Sequence, residues 1–302
     1  MRLVLRERLE IVRRNTKVNW DIIEQDYLLS WVLYGISNVD ELKDTLIFKG
    51  GTALKKCYFG DYRFSQDLDF SIQGAHPNQD DLCRFMNRAA HIAMKKLEEL
   101  GNNVQIECKP YREKRPHPEQ QEAFTFSARF PWHRNFHTNV MAEVTLMETV
   151  LLKPIQKSIL HGFDEDIDTL INVYPLEEII AEKIRAILQF SKKIFERGWG
   201  RSRVRDYYDL WRILSQYKDL LNHKLIPTLV IDKCRAKDIE FEGVNALFSP
   251  KLISIIAQDW DRWLGMTVPE LPSKDLVINV LKEKLDDVFM NRNSTEDKND
   301  RI

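Results

Sequence analysis

The sequence predicts an α+β domain with a mixed sheet, followed by a helical domain. Three observations carry that expectation. Alternating strand-like runs are confined to the first half of the chain. Beyond about residue 150 the apolar residues recur at helical spacing. One stretch, residues 46–71, runs strand, double glycine, helix, strand.

Residues 21–36 (DIIEQDYLLSWVLYGI) place Ile22, Ile23, Leu29, Val32 and Leu33 on one side of a helix. Thr45-Leu46-Ile47-Phe48 reads as a short buried strand that stops at Gly50-Gly51. A short helix over 52–59 and a second strand over 67–72 follow, then a helix over 80–100 that ends at Gly101. Residues 103–109, 123–130 and 138–147 alternate as strands. Val104, Ile106 and Cys108 share one face, as do Phe124, Phe126 and Ala128, and Val140, Ala142, Val144 and Leu146. The strand signal then fades, and 176–197, 204–218 and about 274–290 read as helices. Pro154 and Pro175 mark the connection. This gives an α+β domain at 1–160, a helical domain at 161–290 and a disordered polar tail at 291–302 (NRNSTEDKNDRI).

With 302 residues, 43% of them hydrophobic, the chain can bury one large core or two smaller ones. The formal net charge of −1 leaves no global electrostatic footprint, so a nucleic-acid partner has to be sought in local clusters. Cys57, Cys83, Cys108 and Cys234 form no CxxC pair, which argues against a disulfide framework or a zinc knuckle and for reduced thiols. The longest nearly apolar run, Leu28–Ile36, is too short to span a bilayer, and the charged N-terminus has no signal-peptide core. A soluble cytoplasmic protein with no membrane partner is expected.

The chemistry concentrates in LIFKGGTALKKCYFGDYRFSQDLDFS (46–71). Side chains two apart on a strand share a face, so Asp67 and Asp69 point together while Leu68 and Phe70 point into the core. Adjacent carboxylates repel unless they share cations, and Mg²⁺ takes one or two carboxylates plus phosphate oxygens. Gly50 and Gly51 permit close backbone approach to a ligand, and the following helix N-terminus offers N–H groups to a phosphate. Thr52 is placed to cap that helix or touch the phosphate, and Ser65, two residues before Asp67, to do the same. Asp164, Asp166 and Asp168 repeat the spacing without a preceding double glycine and read as a solvated loop.

KGGTALKK followed by RFSQDLDF resembles the AbiEii/AbiGii nucleotidyltransferase toxins of type IV toxin–antitoxin and phage-defence systems, within the DNA-polymerase-β-like nucleotidyltransferase superfamily. Gln25-Asp26-Tyr27, YPLEEIIAEKIRAIL (174–188) and RVRDYYDLWRI (203–213) extend the similarity over most of residues 20–215. The resemblance implies a polymerase-β-like fold. It also implies two-metal transfer of a nucleoside monophosphate from an NTP with Mg²⁺ or Mn²⁺, some members modifying tRNA acceptor ends. By motif, Ser65, Asp67, Lys183 and Asp206 fall on essential positions, with Asp69 the second carboxylate. A cognate antitoxin encoded nearby is implied too.

Helical geometry bears on two of these residues independently. Leu176, Ile180, Ile187 and Ile194 fall within about 40° of one another at about 100° per residue, and Lys183 lies inside that stripe. Glu178, Glu182, Arg185, Gln189 and Lys192 take the opposite, solvent side. Asp206 faces inward with Leu210, Ile213 and Tyr217, and Asp209 lies at the stripe edge. Two readings stay open: a buried Lys183–Asp206 tie between helices, or an aspartate orienting a lysine that contacts the triphosphate. The helical domain is expected to bring both residues to the cleft. Glu143 shares a face with Met141 and Thr145 and is either a third carboxylate, as metal ligand or activator of the attacking hydroxyl, or a plain solvated strand residue.

Lys192, Lys193, Arg197, Arg201, Arg203 and Arg205 cluster around GWGRSRVR, and Lys109, Arg112, Lys114, Arg115, Arg129, Trp132, His133 and Arg134 form a second group. Basic and aromatic residues in alternation suit phosphates and stacked bases. Lys192, Lys193, Arg201 and Arg203 are therefore the candidate RNA contacts. The seven histidines are assigned no role. Three functions remain in play: transfer to tRNA or another RNA, transfer to a protein or small molecule, and a nucleotide-binding scaffold without turnover.

Overall fold

The computed structural model describes residues 3–74, 77–112 and 120–296, with the side chains of 291–296 excepted. It divides into two compact units, Met1–Tyr174 and Pro175–Ile302.

The first unit is built on a seven-stranded mixed sheet ordered β3-β4-β5-β2-β1-β7-β6. Its strands are β1 (Leu46–Lys49), β2 (Asp67–Ile72), β3 (Gln105–Tyr111), β4 (Gln121–Arg129), β5 (Thr138–Thr145), β6 (Ile155–Ser158) and β7 (Leu170–Val173). β2 is antiparallel to β1 and parallel to β5; β7 is parallel to β1. Its helices are α1 (Leu5–Thr16), α2 (Trp20–Ser37), α3 (Asp40–Lys43), α4 (Gly50–Ala53) and α5 (Gln79–Glu99). Alternation decides what each strand buries. Leu68, Phe70, Phe124, Phe126, Ala142 and Val144 are fully buried, and α2 and α5 pack against each other and against the sheet. α2 is buried almost all round, consistent with neighbours on several sides.

Two short strands escaped the sequence pattern. β6 and β7 are four residues each, too short to show a period, and β7 joins the sheet beside β1. The division after Tyr174 therefore falls later than the 160/161 boundary expected from the sequence.

Buried carboxylates cross-link this unit. Glu24 accepts from the indoles of Trp20 and Trp132 (2.6 Å each) and from Thr138 (2.8 Å), with His133 Nε2 at 3.2 Å. Glu165 accepts from Tyr27 and Asn102 (2.9 Å each), pairs with Arg8 and lies 3.3 Å from His161 Nε2. Two of the histidines, His133 and His161, thus serve as partners of internal acids. Lys56 is held at 2.9 Å by Asp26 and donates to Ser30 at 2.9 Å, all three buried. Asp164, Asp166 and Asp168 are exposed, alternating with buried Phe163, Glu165 and Ile167.

The second unit is helical: α6 (Leu176–Arg197), α7 (Val204–Gln216), α8 (Ile226–Arg235), α9 (Pro250–Leu264) and α10 (Lys274–Glu296). α6 starts after Pro175 and stops at Gly198 in the left-handed region. The expectation that Glu178 and Glu182 face solvent is overturned. α8 covers that side, and its buried Lys233 pairs with Glu178 at 2.8 Å and Glu182 at 3.6 Å. α10 continues to Glu296, past the expected start of a disordered tail at 291; residues 297–302 lie outside the described residues. No helix among the described residues is long and apolar enough to cross a membrane.

Candidate active site

β2 begins with Asp67, and its register with its neighbours builds the site. Asp69 stands opposite Lys49 of β1 and opposite Glu143 of β5; Asp67 stands opposite Met141. Residues opposite one another share a face, so Lys49, Asp69 and Glu143 form a row across three strands, with Asp67 on the same side. Asp67, Asp69 and Glu143 are half-buried on the face opposite Leu68 and Phe70. Glu143 accepts from Gln121 at 2.7 Å, and Lys49 Nζ lies 3.8 Å from Glu148 and 5.7 Å from the centre of the Tyr174 ring. Glu143 therefore belongs to the carboxylate face, as its alternation predicted.

The double glycine has a specific geometric reason. Gly50 has φ +79°, and a Cβ there would collide with Asp69 Oδ2. A Cβ on Gly51 would collide with Arg63 Nη2. The turn is bare so that a carboxylate and a guanidinium can lie against it. Sequence reading gave Arg63 no role, although it stands in RFSQDLDF. The signal lay in the two glycines, which were read as room for a ligand.

Thr52 corrects an expectation. It is buried, and its hydroxyl donates to the main-chain carbonyl of Asp67, so it neither caps the helix nor faces outward. It fastens the helix to the strand that carries the aspartates. Ser65 is half-buried in the segment before β2. The helix from Gly50 continues beyond Ala53 as wider π-type turns, Leu54–Phe59.

Among the described residues no group of three or more His, Cys, Asp or Glu side chains is placed to hold a metal ion. The donor set still fits a hard cation: oxygen ligands only, partly exposed, and sharing one strand face. Mg²⁺ retains open positions for phosphate oxygens and water when two carboxylates hold it.

The second unit holds Lys183 and Asp206 as a pair at 2.8 Å, and Asp209 approaches the same ammonium at 2.7 Å. Lys183 and Asp209 are buried, Asp209 completely, while the Asp206 side chain is 15% exposed. Asp209, read as a stripe-edge residue, is the most buried of the three because α7 is covered on that flank. Arg203 Nη1 stands 3.6 Å from Asp206.

The basic clusters are partly committed elsewhere. Arg203 leans to Asp206, and Lys192 donates to the Asp238 carbonyl at 3.3 Å. Lys193 and Arg201 are exposed. Trp132 and His133 are turned inward to Glu24, which removes them from a stacking surface. Lys114 and Arg115 lie outside the described residues. Two aromatics missed in the sequence, Phe195 (89% exposed) and Trp199 (72%), stand among Lys192, Lys193, Arg197 and Arg201.

No curated protein matches the sequence. The fold is similar to that of MenT4, a nucleotidyltransferase toxin from Mycobacterium tuberculosis H37Rv, with a TM-score of 0.60 and 17% identity over 93% of this chain and 89% of that one. The family described as nucleotidyl transferase AbiEii toxin, type IV TA system, matches residues 31–291. The chain belongs to the AbiEii family of nucleotidyltransferase toxins of type IV toxin–antitoxin systems.

Proposed function

We propose that this nucleotidyltransferase moves a nucleoside monophosphate from an NTP to an RNA acceptor, tRNA being the leading candidate, with Mg²⁺ or Mn²⁺ held by Asp67 and Asp69. The observation that supports this best is the half-exposed row of Asp69 and Glu143 beside Asp67, set against a turn with no side chains. A bound divalent cation would neutralise phosphate charge and draw electron density from the α-phosphorus. The acceptor hydroxyl attacks that phosphorus, its proton passes to a carboxylate of this face, and pyrophosphate leaves. Glu143, positioned by Gln121, is the candidate acceptor of that proton or a further ligand. Gly50, Gly51 and Ser65 line the approach proposed for the triphosphate.

Lys183 of the second unit, paired with Asp206, stays a proposed catalytic residue, because a buried ammonium has value where negative charge develops. Acceptor RNA is assigned to Lys192, Lys193 and Arg201, with Phe195 and Trp199 offering π-faces to unpaired bases. Arg203 contributes less, being drawn to Asp206. Membership of a type IV toxin–antitoxin family implies a cognate antitoxin. Incubating the protein with labelled NTPs, Mg²⁺ and separate pools of tRNA, total protein and small acceptors tests the reading. Label in tRNA supports it. Label only in protein or a small molecule replaces the acceptor, and no label anywhere removes transfer altogether.

A further inference from the structure

We infer that Arg63 is a positioning residue of the carboxylate face, holding the Gly50–Gly51 turn and the Asp69 carboxylate in the arrangement that receives metal; this rests on the metal-dependent transfer proposed above. Arg63 is only 3% exposed, which is rare for an arginine without a defined task. It stands outside regular structure, four residues before Asp67, and its Nη1 donates to the Phe64 carbonyl at 3.3 Å.

The glycines say what the guanidinium is for. Gly50 needs glycine for its φ of +79°. Gly51 has no such need: it sits in a helical stretch, where alanine is the better residue. The three nearest atoms to a Cβ at Gly51 all belong to the Arg63 guanidinium. The bare backbone at 51 is therefore explained by Arg63. One residue earlier, the same kind of vacancy is filled by Asp69 Oδ2. Consecutive residues of one turn thus carry opposite charges packed on main chain. A guanidinium is always charged and has no lone pair for a metal, so it lowers repulsion among Asp67, Asp69 and Glu143 without competing as a ligand.

Gly51→Ala tests this cleanly. The obstructing group is the end of a long side chain, so it gives way and the fold survives. The expected result is an unchanged or raised melting temperature. The Mn²⁺ concentration giving half of the Mn²⁺-induced melting shift should rise tenfold or more. The metal requirement for transfer should rise in parallel. Arg63→Lys should move the same way, since an ammonium cannot replace the flat fork. In an Arg63→Ala background, Gly51→Ala should add no further loss, as the two act through one contact. Wild-type Mn²⁺ dependence in both Gly51→Ala and Arg63→Lys overturns the inference alone. Absence of any Mn²⁺ response in the wild type overturns the metal-dependent reading and the inference with it.

Discussion

The two units each gather aspartates, in opposite electrostatic states. On the sheet, Asp67, Asp69 and Glu143 stand side by side on a half-exposed face beside a glycine turn. In the helices, Asp206 and Asp209 converge on a single buried ammonium, each within 2.8 Å. The first arrangement concentrates negative charge where water and cations can reach it. The second cancels much of its charge internally. Half-exposed carboxylates on one strand face suit the proposed cation site. The same residue types turned inward are a fastening, or a cation held in place.

Substitutions should break this contrast most visibly at the sheet. Asp67→Asn or Asp69→Asn should lower transfer by about three orders of magnitude or more, since the proposed metal-dependent transfer loses a ligand. The variants should stay folded. A transfer assay beside thermal melting checks both halves; a variant that stays active returns the pair to ordinary surface residues.

The helical cluster should behave the other way. Asp209→Asn should cost about 3–5 kcal/mol, the range for breaking a buried ion pair, and Asp206→Asn clearly less, because its side chain is 15% exposed. Lys183→Met combined with Asp206→Leu and Asp209→Leu should regain most of the stability lost by Lys183→Met alone, yet stay inactive. Denaturant melts and NTP transfer on these variants decide, and a stable, active triple variant assigns the cluster to structure only.

Acid should destabilise the fold through the Glu165 network. Burial pushes the Glu165 carboxyl up, and hydrogen bonds from His161, Arg8 and Tyr27 outweigh it, leaving it at about 2. Burial holds the His161 imidazole below its usual value. Both native groups bind fewer protons than their unfolded counterparts. Stability should therefore fall as pH drops below about 6.5, and fall further below about 4.3. Melting temperature against pH should show that loss, and His161→Phe should flatten its upper limb. A profile that rises toward pH 5 contradicts the assignment.

A smaller effect belongs to the surface. Lys193→Glu with Arg201→Glu should weaken RNA binding and make its salt dependence shallower, by about 0.7 in the log–log slope per lost phosphate contact. Trp199→Ala should weaken it with the slope unchanged. Titrations at several salt concentrations separate the two. Near zero on every scale should be Asp166→Asn, since that aspartate is exposed.

How legible each region was follows from the length scale of its pattern. The Asp67–Asp69 face was readable because a strand's period of two is local, and Glu143 followed from the same period on β5. Lys183 was readable because α6 is 22 residues long and its stripe repeats. Glu178 was misplaced because a helical wheel shows which residues differ in facing, and only α8 reveals that the second face is also covered. Arg63, Glu24 and Glu165 were invisible for a related reason. Their partners lie far along the chain or on bare backbone, where no spacing rule reaches.

The claim beneath all of this is that Asp67 and Asp69 hold a divalent cation together with NTP. Mn²⁺ binding measured by calorimetry in the presence of a non-hydrolysable NTP analogue tests it without relying on turnover or on the acceptor. Binding should be saturable in the wild type and lost, or weakened at least tenfold, in Asp69→Asn of equal melting temperature. Equal Mn²⁺ affinity in the wild type and in an Asp67→Asn/Asp69→Asn double variant would contradict it.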